Sequence, residues 1–397
     1  MSVIALALAL VLLLWSGVLL AFAAPLVARW REPVLRQPVL IIESDDWGAG
    51  PLAQADALDR LANLLQGVRD YAGRPAVMTL GVVLEVPDGE QIAASDCETY
   101  HALPLTDPRF DAVRAAMQAG IRAGVFVPQL HGQCHYWPES LIAAAQTDPA
   151  IRAWLTAPEP AETETLPSHL QTRWADAARL PSQPLTADAI RRAINTEAAG
   201  YRAVFDAAPK VAVATTFVWD EAVEDAWAHA GIDVVITPGH RATGRNAQGA
   251  PGYVDRQMLS GERTREGLRY LVRDVYFEPA LGHGPDQLVA GLVARARQGR
   301  ACLVETHRFN FLREPDASLA SLGRALDEAL ARCPAVRFLS PLELSRAMIT
   351  RDPAWIETRW LPRLRAWRAR LDEIPRFGRI ARLSGLAWPL SWLASRA

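Results

Sequence analysis

Two adjacent carboxylates follow a short apolar run near the start of the chain. Asp45 and Asp46 occur in the segment Ile41-Ile42-Glu43-Ser44-Asp45-Asp46-Trp47-Gly48. Carboxylates this close repel each other unless a cation or a proton separates their roles. The pair therefore suggests a site that holds a cation or a proton, although an Asp that caps a turn or a helix explains the same residues equally well.

Two histidines four residues apart form a second candidate group. His131 and His135 occur in the segment Val127-Pro128-Gln129-Leu130-His131-Gly132-Gln133-Cys134-His135. On a helix or a helical turn this spacing places both imidazoles on one face, where they can bind one metal ion. Such pairs are also common in structural roles. Cys134 between them is predicted to be a small buried thiol and not a ligand.

A third histidine, His307, follows the apolar run Leu303-Val304-Glu305-Thr306. Imidazole titrates near neutral pH, so His307 is a candidate general acid. The alternative is a core histidine that is satisfied by a neighbour such as Glu305. The five remaining histidines have no clustered partners in the sequence and are predicted to be surface or structural residues.

The elements that must position these residues follow from the hydrophobic pattern between residues 38 and 345. Short β-branched runs alternate with helical stretches, which indicates a largely parallel sheet and, with seven or eight units, a closed or nearly closed β/α barrel. The predicted strands are Val39–Glu43, Ala76–Val83, Val125–Leu130, Val211–Phe217, Asp233–Thr237, Tyr270–Phe277, Ala301–Thr306 and Val336–Leu339. The predicted helices are Pro108–Ala123, Thr186–Ala207, Glu221–Ala230, Gln287–Gln298 and Ser318–Arg332. Since active sites of such barrels lie at the carboxyl ends of the strands, the three motifs are expected to converge.

Three segments differ from this barrel pattern. Residues 1–28 carry no charged side chain and are long enough to span a bilayer, although a secretory signal peptide is the alternative. Residues 351–397 contain ten arginines, four acidic residues and five tryptophans, which predicts a basic helical tail at a membrane interface or a helix packed on the barrel. Residues 140–185 are rich in proline and alanine and are predicted to form a surface insertion, with a lid as one option.

The overall composition excludes several classes of protein. The 397 residues include 42 basic and 44 acidic side chains, for a formal charge of −2. A charge near zero argues against a nucleic-acid partner, which would need a basic surface. The four cysteines show neither a CxxC pair nor a zinc-knuckle spacing, so a disulfide framework is not expected.

Taken in order, the three motifs resemble the polysaccharide deacetylases of the NodB-homology, carbohydrate esterase class. The resemblance spans about residues 38–345 and is specific at the motifs. It implies an α/β fold with a distorted (β/α)7-type barrel, one divalent metal ion that is usually zinc, and removal of an acyl group from an amino sugar. It also implies the residue roles: Asp45 as catalytic base, His307 as general acid, and Asp46, His131 and His135 as metal ligands.

The sequence departs from the family pattern at several positions. Trp47 separates the two Asp from Gly48, and Gly132 replaces the Ser or Thr that usually follows the first His. The family's Arg-Pro-Gly stretch, whose Arg orients the base, has no match, and the comparable strand end is Thr216-Phe217-Val218-Trp219-Asp220. Arg273 or Arg308 are the candidate replacements, and Arg273 with Asp274 is a candidate ion pair near the base. Glu305 lies where an apolar residue is common.

Aromatic residues beside the motifs are candidate sugar contacts, because their faces can stack on sugar rings. Trp47, Trp137 and Trp219 are proposed in this role together with Arg273 and Arg308, and core packing is the alternative for each tryptophan. We expect a glycan or lipid-linked glycan substrate and a bacterial inner-membrane location, where Arg29, Arg31 and Arg36 favour a cytoplasmic catalytic domain. A catalytically degenerate glycan-binding or scaffold barrel, or a glycoside hydrolase, is the alternative function.

Overall fold

A computed structural model describes residues 3–252 and 257–396 of the chain. Thirteen strands are defined in these ranges. In chain order they are β1 Val39–Gly48, β2 Met78–Val83, β3 Glu85–Pro87, β4 Ala102–Pro104, β5 Phe126–Leu130, β6 Ala175–Asp176, β7 Gln183–Pro184, β8 Val211–Val213, β9 Val234–Thr237, β10 Arg269–Val272, β11 Val275–Tyr276, β12 Ala301–His307 and β13 Arg337–Phe338.

Sixteen α-helices are defined in the same ranges. They are α1 Val3–Ala21, α2 Ala23–Arg31, α3 Gln54–Gly67, α4 Gly89–Ala94, α5 Asp111–Arg122, α6 Pro138–Ala145, α7 Pro149–Leu155, α8 Ala187–Phe205, α9 Glu221–Ala230, α10 Pro285–Arg297, α11 Arg308–Arg313, α12 Pro315–Arg332, α13 Pro341–Thr350, α14 Trp360–Arg370, α15 Pro375–Leu383 and α16 Ala387–Arg396. The five predicted helices correspond to α5, α8, α9, α10 and α12.

The main sheet is parallel and has the order β10-β9-β8-β5-β2-β1-β12-β11, with β13 beside the start of β1. Its two outermost strands, β10 and β11, are separated in the chain by only Arg273 and Asp274. They are two halves of one broken strand, of which the first pairs with β9 and the second with β12. The sheet therefore returns on itself and forms a seven-position barrel, which confirms the distorted (β/α)7-type fold.

Strand β1 carries apolar residues at its start and polar residues at its carboxyl end. All ten of its residues are buried, because the barrel interior covers one face and helices cover the other. Val39 and Ile41 belong to the interior apolar cluster, whereas Leu40 and Ile42 pack in the outer cluster with helix α3. Because alternate residues of a strand share one face, the inward series continues from Ile41 to Glu43 and Asp45.

The insertion has a core of its own beside the segment that follows β5. It contains α6, α7, a short 3-10 helix at Thr163–Thr165 and the β6–β7 hairpin. Leu141, Ile151 and Leu155 pack around Tyr136 in this core. The insertion is thus attached directly to the segment that carries the histidine pair.

The two ends of the chain meet in the structure. Helix α1 is the one described helix that is long and apolar enough to cross a membrane, by length and composition. The Trp15 indole donates a hydrogen bond to the carbonyl of Ser384 at 2.8 Å, and the rings of Phe22 and Phe377 lie 5.5 Å apart. The basic tail therefore packs against the apolar N-terminal segment.

Candidate active site

A bulge at the end of β1 brings Asp45 and Asp46 to the same cavity. Successive strand residues normally point to opposite faces, but the register with β2 shifts between Ser44 and Trp47, and Asp46 has a φ of +73°. The extra residue rotates the Asp46 side chain towards the interior end of the barrel. Both carboxylates consequently line a cavity of about 310 Å³.

Gly81 on the neighbouring strand β2 makes room for the Asp45 side chain. A Cβ atom at position 81 would lie 2.2 Å from Oδ1 of Asp45, which is far inside van der Waals contact. Gly81 was not among the residues predicted to form the site. A glycine inside a predicted strand is a signal of close approach by another group, and that signal was present in Met78-Thr79-Leu80-Gly81.

Asp46, His131 and His135 form a convergent set of potential metal ligands. Oδ1 of Asp46 lies 3.4 Å from Nε2 of His131 and 3.3 Å from Nε2 of His135, and all three side chains are buried. Oδ1 of Asp46 has no hydrogen-bond partner among the described residues. An Asp, His, His donor set fits a divalent cation and leaves coordination positions open for water and substrate.

The orientation of His131 is fixed by a backbone carbonyl. Its Nδ1 lies 3.0 Å from the carbonyl oxygen of Val213 at the end of β8. A proton on Nδ1 satisfies this contact and leaves the lone pair of Nε2 directed at Asp46, an arrangement typical of metal-binding histidines.

Burial and the facing charges give Asp46 and His135 the protonation states of metal ligands. Burial lowers the pKa of His135 to about 4, which keeps its imidazole neutral at physiological pH. Burial alone would raise the pKa of Asp46, but the His135 and His131 imidazoles outweigh it and lower that pKa below its usual range. A charged carboxylate and a neutral imidazole are the forms that bind a cation.

The histidine pair does not lie on a helix, which corrects one sequence expectation. Residues 131–137 form an irregular segment after β5, and Gly132 has a φ of +106°. The segment is held by two hydrogen bonds. The Glu197 carboxylate accepts one from the backbone amide of Gln133 at 3.0 Å, and Arg173 donates the other to the Tyr136 carbonyl at 3.2 Å. The pair converges because this turn reverses the chain. Cys134 is a buried free thiol, as expected.

Arg273 contacts the candidate base. Its Nη2 donates a hydrogen bond to Oδ2 of Asp45 at 2.7 Å, and its Nε lies 3.2 Å from Oε2 of Glu305. Burial raises the pKa of Asp45, but the positive charge of Arg273 outweighs burial and lowers it. The expected ion pair between Arg273 and Asp274 does not form, because the Asp274 carboxylate accepts a hydrogen bond from Arg295 at 3.1 Å instead.

His307 is paired with Glu278, and not with Glu305, which was the neighbour considered for the alternative of a core histidine. Nδ1 of His307 lies 2.5 Å from Oε1 of Glu278, and the Asn310 amide donates a hydrogen bond to the same carboxylate. Burial lowers the pKa of His307, but the hydrogen bond and charge of Glu278 raise it to about 10. Glu278 was missed as a functional residue, although it ends the strand-like segment Val275-Tyr276-Phe277-Glu278.

Two of the three proposed sugar-stacking tryptophans lie in the core, which corrects their expected role. Trp47 is fully buried, donates a hydrogen bond to Ser44 Oγ at 2.8 Å and stacks on Phe311. Trp219 is also fully buried and donates to Glu224 Oε1 at 2.9 Å.

Trp137 is half-buried beside the Arg173 guanidinium and does not line the cavity either. The aromatic rings at the cavity are Phe217 and Phe309, the latter stacked on His307 at 5.7 Å.

Phe217 reaches the cavity because β8 is shorter than predicted. The strand ends at Val213, and the chain continues in a tight turn in which Thr216 and Phe217 both have positive φ, near +51° and +54°. A strand through residue 217 would have carried this ring along the barrel wall. The turn directs it into the site instead.

The insertion closes one side of the cavity. Glu164 and Gln171 line the cavity, and the Glu164 carboxylate accepts a hydrogen bond from Arg308 Nη2 at 3.1 Å. Arg308 itself is buried behind Glu164 and does not line the cavity. The cavity is lined by Asp45, Asp46, His131, His135, Glu164, Gln171, Ala214, Thr216, Phe217, Arg273, Glu305, His307 and Phe309.

Fold and site together define a parallel β/α barrel with a buried Asp, His, His group at the carboxyl ends of its strands. Searches with protein-family models and against curated proteins give no match to this sequence. Among solved structures, the chain is similar to a family 4 carbohydrate esterase from Streptomyces lividans, at 13% identity and a TM-score of 0.35 over 76% of this chain and 91% of that one.

Two further solved structures are similar. One is a protein from Mycobacterium smegmatis provisionally assigned as a polysaccharide deacetylase, at 13% identity and a TM-score of 0.41 over 83% of this chain and 97% of that one. The other is a 4-alpha-glucanotransferase from Thermococcus litoralis, at 9% identity and a TM-score of 0.37 over 81% of this chain and 41% of that one.

Proposed function

We propose that this protein is a metal-dependent hydrolase that removes an acyl group, in the first place an N-acetyl group, from an amino sugar of a glycan. The observation that carries the proposal is the convergence of Asp46, His131 and His135 beside Asp45 and His307 in one cavity. The set contains a candidate metal site, a base and an acid, which are the three functions that amide hydrolysis needs.

Asp46, His131 and His135 would hold the divalent cation, for which zinc is the best candidate from the nitrogen and oxygen donors. When bound, such an ion supplies Lewis-acid chemistry, since it lowers the pKa of a water molecule and polarises a carbonyl group. Asp45 is kept charged by Arg273 and would accept the proton of the attacking water.

His307 would protonate the departing amine nitrogen. With its pKa raised to about 10, it carries a proton at neutral pH, and the contact of Nδ1 with Glu278 leaves Nε2 as its free nitrogen. A hydrogen bond to a carboxylate is a common way to fix the ring orientation and tautomer of a histidine. Phe217 and Phe309 provide apolar faces in the cavity for the substrate, which replaces the role proposed for Trp47 and Trp219.

The proposed location is the inner membrane of a bacterium, with α1 as a single uncleaved membrane span. The exposed apolar surface of α1 supports this location. A polysaccharide or a lipid-linked glycan at the membrane is the proposed substrate.

The experiment measures metal content and deacylation in parallel. The purified protein is expected to contain about one divalent ion per chain and to release acetate from chitooligosaccharides. His131→Ala should lose both the ion and the activity, whereas Asp45→Asn should keep the ion and lose turnover. A protein without a divalent ion, or His131→Ala with unchanged metal content, would refute the proposed site.

The two alternative functions have less support from the geometry. A degenerate glycan-binding barrel was suggested by the missing orienting Arg, but Arg273 contacts Asp45 from another strand. A glycoside hydrolase needs two carboxylates that lie about 5–9.5 Å from each other on either side of a sugar. Asp45 and Asp46 are instead adjacent in the chain and lie on the same side of the cavity. Release of reducing ends from the oligosaccharides would indicate that second alternative.

A further inference from the structure

The surface around the C-terminal third of α1 has the features of a membrane-binding element. Helices α15 and α16 and the residues between them, which we call the collar, share one apolar cluster with α1, in which Val18 of α1 packs with Phe377, Ala381 and Leu386. The hydrogen bond from the Trp15 indole to the Ser384 carbonyl fixes the position of α15 along the axis of α1. The collar therefore covers one side of α1 between about Trp15 and its end at Ala21, with Val18 buried in the contact and Leu19 and Leu20 exposed.

The length of this contact matches the depth of a bilayer interface. Residues 15–21 span roughly 10 Å at the helical rise, and an interfacial helix is buried roughly 5–10 Å into the boundary between headgroups and acyl chains. The preceding part of α1, residues 3–14, is exposed throughout the described chain and extends roughly 18 Å beyond the collar. If α1 crosses a bilayer whose hydrocarbon core is about 30 Å thick, residues 3–14 alone are too short to cross it, so the collar lies at the boundary of one leaflet and reaches into its acyl chains.

The exposed residues of the collar suit that environment. Leu383 and Trp388 are 83% and 73% exposed, and Ile380 is exposed as well. Water is a poor environment for such a group of apolar side chains, and their clustering around an apolar helix makes the surface continuous with the proposed span.

The charges of the collar specify the kind of lipid. Arg376, Arg379 and Arg382 are all exposed on α15, and the segment from residue 375 to residue 396 contains no acidic residue. Long basic side chains can bury their stems in the interface and place their guanidinium groups among lipid phosphates. Tryptophan is one of the two aromatic residues that are enriched at this depth.

We propose that the collar binds the surface of an anionic phospholipid bilayer at the point where α1 enters the membrane. The proposal is independent of the catalytic function, because it rests on the contacts between the two chain ends. If a second copy of the chain or another protein covered this surface, the proposal would be wrong.

The test uses the full chain in vesicles of phosphatidylcholine alone or of equimolar phosphatidylcholine and phosphatidylglycerol. A bimane label on Leu383→Cys reports contact with brominated lipid, and a label on Asp316→Cys, which is exposed at the catalytic end, is the control position. We expect strong quenching at position 383 in the anionic vesicles, weaker quenching in the neutral ones, and none at position 316.

Charge removal provides the second part of the test. The triple variant Arg376→Gln, Arg379→Gln, Arg382→Gln should lower quenching at position 383 to the level in neutral lipid, since each arginine strengthens attraction to an anionic surface roughly fivefold. The control variant Arg191→Gln, Arg332→Gln, which removes two exposed arginines on other surfaces, should leave quenching unchanged. Equal quenching in both lipids, no quenching at 383, or protection of position 383 that depends only on protein concentration would overturn the proposal.

Discussion

Nη2 of Arg273 lies 2.7 Å from Oδ2 of Asp45, and both side chains are almost completely buried inside the barrel. The same guanidinium faces two further carboxylates, Glu305 at 3.2 Å and Glu43 at 3.7 Å. Arg273 occupies the break between β10 and β11, so the distortion of the barrel places the arginine next to Asp45, the proposed base. The carboxylate at position 305, where the related motif is usually apolar, partly balances this buried charge.

Arg273→Lys is expected to lower kcat/KM by roughly 10²-fold or more, because lysine keeps the charge but loses the planar fork that holds Asp45. Removing the charge altogether leaves buried carboxylates uncompensated and costs roughly 3–5 kcal/mol of stability, so lysine is the more informative change. Metal content should stay near that of the parent. Arg269→Lys, a buried arginine of the same strand away from the cavity, is the control. Equal losses in both variants would contradict a specific role of Arg273.

Gly81→Ala should impair catalysis without removing the metal site. The added methyl group would lie 2.2 Å from Asp45 Oδ1, so the carboxylate must move by a large part of an ångström. A displacement of this size costs roughly 10²-fold in kcat. Gly323→Ala on α12, where the nearest heavy atom to the new Cβ is 3.5 Å away, is the matched control and should be neutral. Full activity of Gly81→Ala would show that the placement of Asp45 is not critical.

Glu278→Gln should change the alkaline side of the pH–rate profile. Glu278 raises the pKa of His307 to about 10, so the imidazolium persists at neutral pH and is lost as the pH rises through that value. Without the carboxylate charge, the pKa of His307 returns towards its ordinary value of 6.5. The alkaline loss of activity should therefore begin at a lower pH than in the parent protein. The acidic limb should stay where it was. The measurement is kcat/KM against pH, and an unmoved alkaline limb would exclude His307 as the group that titrates.

Glu164→Gln is expected to raise KM for oligosaccharides roughly tenfold, because it weakens a charge-assisted hydrogen bond to Arg308 that holds the insertion over the cavity. Limited proteolysis within residues 140–185 should become faster in the same variant. Arg152→Gln breaks an ion pair with Asp96 on the outer surface of the insertion and serves as the control. If KM and proteolysis both stay at the parent level, the insertion does not depend on this contact.

Much of the fold could be predicted from the sequence, because its signals were local and periodic. The eight predicted strands all occur in the barrel, and the helices follow the amphipathic stretches between them. The three motifs with Asp45, His131 and His307 converge because carboxyl ends of parallel strands meet at one edge. The pairing of β10 and β11 with different neighbours depends on contacts distant in sequence and could not be predicted.

The errors concern residues whose role depends on which way a side chain points. Trp47 lies next to the Asp pair in the sequence, but the bulge at Asp46 turns its ring into the outer core beside Phe311. His131 and His135 converge through a glycine turn and not through helical spacing. Glu278 and Gly81 were missed because their roles depend on contacts between residues distant in sequence. Glu278 contacts His307, and the Asp45 carboxylate approaches Gly81.

The attachment of the chain ends to the barrel has a consequence for the reach of the enzyme. The Leu35 amide binds the Gly299 carbonyl at 2.8 Å beside the first residues of β1 and β12, whereas Asp45 and His307 lie at the other end of those strands. Seven strand residues separate the two levels, or roughly 20 Å. If α1 spans a membrane as proposed, a tether at one end of the barrel and the candidate site at the other favour sugar units that project well beyond the lipid headgroups over the unit joined to the lipid itself. Deacetylation of a long glycan should therefore be faster than that of a lipid-linked monosaccharide in the same vesicles.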